Sequence, residues 1–233
     1  MEPATLQRTE TQLRVNSFVQ SVYNWMAAGL AITGLAAWTV AGVEPLRRIF
    51  LGNPIMPILL MVGSLVLVFT LSARINKMQA STATGLFILY SALMGVMLSS
   101  IFLVYTMSSI ATTFFVCSGM FVALSLYGWK TQRDLTSLGS FLFMGLVGII
   151  LASVANWFLH SSMLQWMVSF LGVGIFMGLT AYDTQRIKNM AMTQPADVGG
   201  TAIRRAAILG ALTLYLDFLN LFLFLLQFLG NRR

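Results

Sequence analysis

The fold class of this protein is decided by one uncharged stretch, which reads MQASTATGLFILYSALMGVMLSSIFLVYTMSSIATTFFVCSGMFVALSLYGW over residues 78–129. It is bounded by Lys77 and Lys130 and contains no Asp, Glu, Lys or Arg. A membrane-spanning helix needs about 20 apolar residues, so this stretch is long enough for two spans. The polar residues 106–109 predict the turn between them, with one span over residues 82–105 and the next over 110–129.

The composition of the whole chain also indicates that lipid surrounds the protein. Of its 233 residues, 58% are hydrophobic and only 9% are charged, whereas a soluble domain carries roughly 25% charged residues. In lipid the backbone must satisfy its own hydrogen bonds, which leaves helices or a closed barrel. The apolar runs are continuous and do not alternate, which favours helices. The predicted fold class is therefore all-α, a polytopic membrane helix bundle.

Seven apolar segments are predicted, separated by short polar ones. The last is about the right length to cross a membrane, although a re-entrant course for it stays open. A polar segment over residues 184–205 is predicted as a loop because it contains Pro195 and Gly199-Gly200. Residues 1–16 are predicted as a cytoplasmic N-terminal tail and residues 17–230 as one transmembrane domain. The predicted segments cover residues 17–41, 54–74, 82–105, 110–129, 138–159, 163–182 and 206–229.

The distribution of basic residues predicts the orientation. The formal net charge is +7, and a cytoplasmic N-terminus places most Lys and Arg on the cytoplasmic side, as membrane proteins prefer. The basic charge thus indicates topology and membrane lipids as partners, not nucleic acid. The residues assigned to the cytoplasmic side are Arg8, Arg14, Arg74, Lys77, Lys130, Arg133, Arg186, Lys188, Arg204 and Arg205.

Small residues recur at spacings that let helix backbones approach closely in lipid. The predicted close approaches fall at three pairs of positions four residues apart on the same helix. They are Gly29 with Thr33, Gly148 with Ala152, and Gly174 with Gly178.

Asp217 is the first candidate for a functional residue. A charge at the middle of a bilayer costs roughly 2.5–3.5 kcal/mol, so it needs a partner, a cavity or a proton. Asp217 lies about a dozen residues into the last segment, roughly 17 Å along a helix. Asn220 follows on the same helix face. The alternative is an aspartate that is hydrogen-bonded inside the bundle and has no wider role.

Asp183 and Arg74 leave two interpretations open. Asp183 is predicted at the cytoplasmic end of the sixth segment, where an acidic residue is ordinary and an i,i+3 pair with Arg186 would be a surface contact. Arg74 ends the second segment on the same predicted side. It is either an anchor whose charged head reaches the aqueous interface or a cation that pairs with Asp183.

Two motifs resemble those of the Bax inhibitor-1 family, also called the transmembrane Bax inhibitor motif family. They are LYLDFLNLF over residues 214–222, followed by LLQFLG over 225–230, and YDTQRI over 182–187. The resemblance covers about residues 15–230. It implies seven helices, six of them around a central last helix, and a calcium leak that responds to pH.

The resemblance also implies roles for individual residues. Asp183 and Asp217 would form a proton-sharing pair and transient ligands for Ca²⁺, and Arg74 would latch onto Asp183. The supporting residues in the motifs are Tyr182, Arg186 and Asn220. Gln227 stands where many members have a basic residue, and the chain lacks the long basic tail of animal members. The short C-terminus suggests a bacterial member in the inner (plasma) membrane.

The resulting prediction is a pH-sensitive calcium leak channel that is not an enzyme and needs no cofactor, with Ca²⁺ as the permeant ion. Ionised carboxylates are suitable hard ligands for that ion. One alternative is a regulator of a membrane protease or another partner, contacted through residues 1–16. A remote alternative is an intramembrane aspartyl protease, although such proteases usually carry Gly-x-Gly-Asp and Asp217 follows Tyr215-Leu216. A metal cluster is not expected, because His160 is the only histidine and falls in a predicted external turn.

Overall fold

The structure is a computed structural model that describes the backbone of residues 3–193 and 199–233, with side chains described from residue 11 onward in those ranges. Of the residues that the structure describes, 89% are helical and none belongs to a β-strand. A single 3₁₀ turn, Ile75–Lys77, follows the third helix. The helices are α1 (Pro3–Gly42), α2 (Glu44–Leu51), α3 (Met56–Arg74), α4 (Ala80–Leu98), α5 (Ile101–Val104), α6 (Met107–Lys130), α7 (Thr136–Leu159), α8 (Ser162–Thr193) and α9 (Gly200–Leu229).

Seven helical stretches in the described ranges are long and apolar enough to cross a membrane, which confirms the predicted polytopic all-α fold class. The last segment is one unbroken helix of 30 residues, as a full span requires, and not a re-entrant pair. The seven stretches are Thr11–Gly42, Met56–Lys77, Ala80–Val104, Met107–Lys130, Thr136–Leu159, Ser162–Thr193 and Gly200–Leu229.

Several helix ends follow directly from local sequence. Pro57 lies in the first turn of α3, where its missing N–H costs no helical hydrogen bond. Thr106 caps α6, because its Oγ1 accepts a hydrogen bond from the Ser109 amide at 3.3 Å, as an N-cap residue does. The helix α7 ends at His160, which has a φ of 50° in the left-handed region. The predicted turn over residues 106–109 is thus the start of α6.

The described part of the predicted N-terminal tail, residues 3–16, is helical. The helix α1 begins at Pro3 and runs without a break to Gly42. The residues between Pro3 and the first apolar run include Leu, Gln, Arg and Glu, which are good helix formers, and no glycine. A polar sequence of good helix formers extends a helix that is already nucleated. The predicted cytoplasmic placement and the boundary at residue 16 stay predictions.

The sixth helix is longer than predicted, and this changes the position of Asp183. The prediction that the helix ends at Tyr182 and that residues 184–205 form a loop was wrong, because α8 runs on to Thr193 and α9 begins at Gly200. Residues 185–192 contain neither Gly nor Pro, so nothing in them stops a helix. Pro195 lies outside the described residues. Asp183 is therefore inside a helix and not at its end.

The described chain forms two compact units. The first comprises residues 1–104, 190–215 and 233, and the second comprises residues 105–189 and 216–232. The core of the first unit contains the buried Tyr215, whose hydroxyl lies 2.7 Å from Oγ1 of Thr33. Thr33 in turn donates to the Ser91 carbonyl at 2.8 Å. This hydroxyl contact satisfies a tyrosine that would otherwise bury an unpaired polar group.

The second unit packs α6 and α7 against α8 through glycines. A Cβ at Gly128 would lie 2.2 Å from the carbonyl oxygen of Ala181, so only glycine permits this approach of α6 to α8. A Cβ at Gly139 on α7 would lie 2.6 Å from the Tyr182 ring. Small residues allow such close helix contacts in lipid. These contacts fix the turn of α8 that carries Asp183.

The helix α9 differs from the other spans in its burial. In its most apolar stretch 67% of residues are buried, compared with at most 28% in the other six spans. The other helices expose large apolar side chains, such as Phe115, Trp157 and Phe158. Exposed apolar faces are expected where lipid is the solvent. An aspartate in α9 is therefore in one of the least solvated positions of the chain.

Candidate functional site

Asp183 and Asp217 lie next to each other in the second unit. Asp183 is on α8 and Asp217 is on α9, and their carboxyl groups are close enough to interact. Both residues are buried, with 8% and 5% of their surfaces exposed. A carboxylate can only accept hydrogen bonds, so a bond between two carboxyl groups requires a proton on one of them. Two neighbouring buried carboxyl groups are therefore suited to share one proton through such a bond.

The position of Asp217 along α9 makes this pair unusual for a membrane protein. It is roughly 26 Å from the start of α9 and roughly 18 Å from its end, at 1.5 Å per residue. Its Oδ2 is buried and has no hydrogen-bond partner among the described residues. A buried carboxylate oxygen without a partner is unfavourable when charged. The pair is thus suited to gain or lose a proton, or to accept a cation.

Arg186 is the cation nearest to Asp183 among the described residues of the second unit. Its Nη1 lies 3.9 Å from Oδ1 of Asp183, and its side chain is 62% exposed. That distance is longer than a hydrogen bond, and exposed ion pairs contribute at most about 1 kcal/mol. The predicted i,i+3 contact therefore exists but leaves most of the charge of Asp183 uncompensated.

The other residues predicted for the site lie beside the pair or apart from it. Asn220 donates from Nδ2 to the Leu216 carbonyl at 2.8 Å, one turn back on its own helix. Tyr182 packs its ring against Gly139. Arg74 is exposed at the end of α3 in the first unit, whereas both aspartates belong to the second unit. The predicted latch between Arg74 and Asp183 stays a prediction.

The turn of α8 that follows Asp183 makes polar contacts that the sequence analysis did not predict. Gln185 is buried, and its Oε1 accepts from the Leu135 amide at 2.9 Å while its Nε2 donates to the Arg133 carbonyl at 2.8 Å. Lys188 donates to the Trp129 carbonyl at 2.6 Å and lies over the Trp129 ring. The bonds of Gln185 attach α8 to the loop between α6 and α7, and the bond of Lys188 attaches it to the end of α6. Residues 185–192 contain no Gly or Pro, and this pattern indicates that the helix continues past Asp183 and carries Gln185 and Lys188.

Replacing Gln185 with alanine should loosen the α6–α7 loop. The change leaves the buried Leu135 amide and Arg133 carbonyl unpaired, which should cost about 2 kcal/mol. Hydrogen–deuterium exchange should show faster exchange at the Leu135 amide, together with a lower unfolding temperature. The matched control is Gln132→Ala in the same loop, because Gln132 is exposed. If the Leu135 amide exchanges equally slowly in both variants, Gln185 does not hold the loop through that amide.

A polar cavity lies at the other end of the second unit. Its volume is about 510 Å³. Gln227, on the face of α9 that also carries Asp217 and Asn220, reaches this cavity and accepts a hydrogen bond from Ser169 at 2.8 Å. The cavity is lined by Ser153, Asn156, Trp157, His160, Gln165, Val168, Phe224 and Gln227. One face of α9 thus carries polar groups at intervals from the aspartate pair to this opening.

The acidic groups present fit a passing cation better than a resident one. Within the described residues no three His, Cys, Asp or Glu side chains gather in a way that could hold a metal ion. A resident calcium ion usually takes about 6–8 oxygen ligands. Asp183 and Asp217 alone would supply fewer, so they suit brief contact with a permeant ion.

The chain is similar to known proteins over nearly its whole length. A family model described as "Inhibitor of apoptosis-promoting Bax1" matches residues 15–233. The "Inner membrane protein YbhL" of Escherichia coli K12 is 50% identical over 94% of this chain and 93% of that protein. An uncharacterized protein of Borreliella burgdorferi is 46% identical over 94% of this chain and 93% of its own length. An uncharacterized membrane protein of Streptococcus pyogenes is 32% identical over 96% of each chain. With its seven apolar helices, the chain is a multi-pass membrane protein that belongs to the Bax inhibitor-1 family.

Proposed function

We propose that this protein is a pH-sensitive calcium leak channel. The observation that carries the proposal is the close approach of the buried carboxyl groups of Asp183 and Asp217. Such a pair changes its charge when a single proton leaves, in a region where a change of charge is energetically large. The name of the E. coli relative supports an inner-membrane location, and the basic residues support a cytoplasmic N-terminus.

The proton on the pair sets the state of the channel in this proposal. When it leaves, two carboxylates face each other and repel, unless a cation approaches. Arg74 then pairs with ionised Asp183 and holds the cytoplasmic end closed. Protonation of Asp183 weakens that ion pair and releases α8. Calcium flux should therefore rise as the pH falls.

The polar face of α9 supports a route for the ion. Asp217, Asn220 and Gln227 lie along one side of the helix, and Gln227 lines the polar cavity at its end. Phe224 lies between Asn220 and Gln227 and stacks on Phe176 at 5.8 Å. An aromatic ring at this point fits a closed route, because an apolar constriction excludes a hydrated ion.

The test is calcium entry into sealed proteoliposomes that contain the purified full-length protein. A calcium-sensitive dye inside the vesicles should report entry faster than in empty vesicles, with a rate that increases as the pH is lowered from neutral. Entry no faster than in empty vesicles at every pH would contradict the proposal. Cleavage of a co-reconstituted membrane protein, abolished by Asp183→Asn, would instead support the aspartyl protease alternative.

Replacing Arg74 with glutamine should increase calcium entry at neutral pH. The change removes the cation that is proposed to pair with ionised Asp183, so closure no longer gains from that attraction. Loss of an ion pair worth about 1 kcal/mol should raise the rate roughly fivefold at neutral pH and less at acidic pH. Lys77→Gln is the matched control, since Lys77 is exposed three residues further on. Equal effects of the two variants would exclude Arg74 as a specific latch.

A regulatory role through residues 1–16 predicts a different result. In that alternative, deleting those residues abolishes the effect on the membrane protease or other partner while calcium entry stays unchanged. The proposed channel retains its pH-dependent entry after the same deletion, because the aspartate pair lies in α8 and α9.

A further inference from the structure

A large cavity in the first unit has no part in the proposed ion route. Its volume is about 690 Å³, within the usual range of about 300–1,000 Å³ for small-molecule sites. It lies among the N-terminal part of α1, the last residues of α8 and the first residues of α9. The lining residues are Thr11, Arg14, Ser17, Phe18, Ser21, Trp25, Ala191, Met192, Gly200, Ile203 and Arg204.

The charged side chains of this cavity have one sign. Arg14 and Arg204 both line it, and none of the acidic residues with described side chains does. Neither arginine forms an ion pair with those acidic residues. Arg204 lies over the Trp25 ring at 5.6 Å, a cation–π contact that restrains the guanidinium without using its N–H donors. The cavity therefore offers two guanidinium groups to an anion.

The neutral lining residues narrow the chemistry of that anion. The hydroxyls of Ser17 and Ser21 add hydrogen-bond donors to those of the arginines. Arginine binds phosphate oxygens through paired N–H donors, a geometry that suits a group with several acceptor oxygens. The remaining wall is apolar, formed by Phe18, Trp25 and Ile203 among others. A ligand that has a phosphate group and an apolar part would fit both the hydrogen-bond donors and the apolar wall of the cavity.

The location of the cavity indicates the source of the phosphate. The first span is predicted over residues 17–41, and the residues of α1 that line the cavity lie around its start. Tryptophan is favoured at the membrane–water interface. Arg14 and Arg204 belong to the predicted cytoplasmic side, where anionic lipids attract basic residues. We propose that Arg14, Arg204 and Trp25 form a binding site for the phosphate group of an anionic membrane lipid.

The test compares lipids and variants on the full-length protein in detergent. Native mass spectrometry should detect bound phosphatidylglycerol, and binding should weaken about tenfold for Arg14→Gln and again for Arg204→Gln, as expected for loss of a charge-assisted hydrogen bond. Arg133→Gln removes the same charge from the same predicted side, but outside the cavity, and should bind like the unaltered protein. All three arginines are exposed, so each variant should fold, which its unfolding temperature will check.

Two further ligands show whether the site binds the phosphate of a lipid or that of a free phosphate compound. Phosphatidylcholine, which carries no net charge, should bind at least about tenfold more weakly than phosphatidylglycerol. If glycerol phosphate, which has no acyl chains, raises the unfolding temperature as much as the lipid does, the site takes free phosphate compounds instead. Binding of phosphatidylglycerol that is equal in Arg14→Gln, Arg204→Gln and Arg133→Gln would overturn the site, and so would no binding of any phosphate ligand.

Discussion

Calcium entry through an Asp217→Asn variant should lose its dependence on pH. Asparagine keeps the size and shape of the side chain but cannot exchange a proton or repel an ionised carboxylate, so Asp183 no longer has a reason to hold a proton near neutral pH and should stay ionised there. An equilibrium linked to one proton changes at most about tenfold per pH unit, and this linkage is what the substitution removes. The measurement is the rate of calcium entry into proteoliposomes over a series of pH values, compared with the unaltered protein.

The matched control is Asp134→Asn, the same chemical change at an exposed position. Asp134 lies in the α6–α7 loop, outside the spans. Hydrogen bonds from the Thr136 side chain, at 2.6 Å, and from its amide, at 2.9 Å, hold the pKa of Asp134 below its ordinary value. A lowered pKa keeps the carboxylate ionised throughout the range near neutral pH. The control should retain the pH response, and a response that survives in Asp217→Asn would refute the proton switch.

Replacing Gly128 with alanine should destabilise the protein more than the other substitutions considered. The new Cβ would lie 2.2 Å from the carbonyl oxygen and 3.1 Å from the Cα of Ala181. These are backbone atoms of α8, so relief requires the two helices to separate. Overpacking of this kind costs about 3 kcal/mol, which corresponds to an unfolding temperature lower by roughly 10 °C. Because Ala181 is close to Asp183 on α8, the pH response of calcium entry should also change.

Gly119→Ala on the same helix is the control. A Cβ at Gly119 would meet no atom within 4 Å, so alanine should be neutral or slightly stabilising, as it is the better helix former. Thermal unfolding of both variants in one detergent gives the comparison. Similar unfolding temperatures for Gly128→Ala and Gly119→Ala would show that α6 and α8 do not approach as closely at Gly128 as described.

The two aspartates differed in how well the sequence predicted their setting. Asp217 interrupts a long apolar run, so its burial within a helix followed from hydropathy alone. Asp183 is followed by polar residues, and hydropathy placed it at a membrane border. Helix propensity over residues 185–192 would have corrected this, because those residues favour continuation of α8. Their contact joins two consecutive helices, but hydropathy does not indicate which faces of those helices meet, so only the family resemblance pointed to it.

Helix packing was the least predictable part of the fold. The predicted pair at Gly29 and Thr33 does lie at a close contact, since a Cβ at Gly29 would be 2.7 Å from the Phe87 ring. Gly178 of the third pair also lies at a close contact, since a Cβ there would be 2.5 Å from Cδ1 of Leu142, whereas Gly148 and Gly174 have open space around them. Spacing identifies small residues on one face of a helix, but lipid can cover that face as well as another helix can. The tight contact at Gly128 has no such spacing signal.

Infrared difference spectroscopy of the protein in lipid will show whether Asp183 and Asp217 share a proton. The C=O stretch of a protonated carboxyl group is separate from that of a carboxylate. The unaltered protein should show this band at neutral pH, and the band should disappear or shift in both Asp183→Asn and Asp217→Asn but persist in Asp134→Asn. Absence of the band at neutral pH, or a band that is unchanged in both variants, would contradict the shared proton.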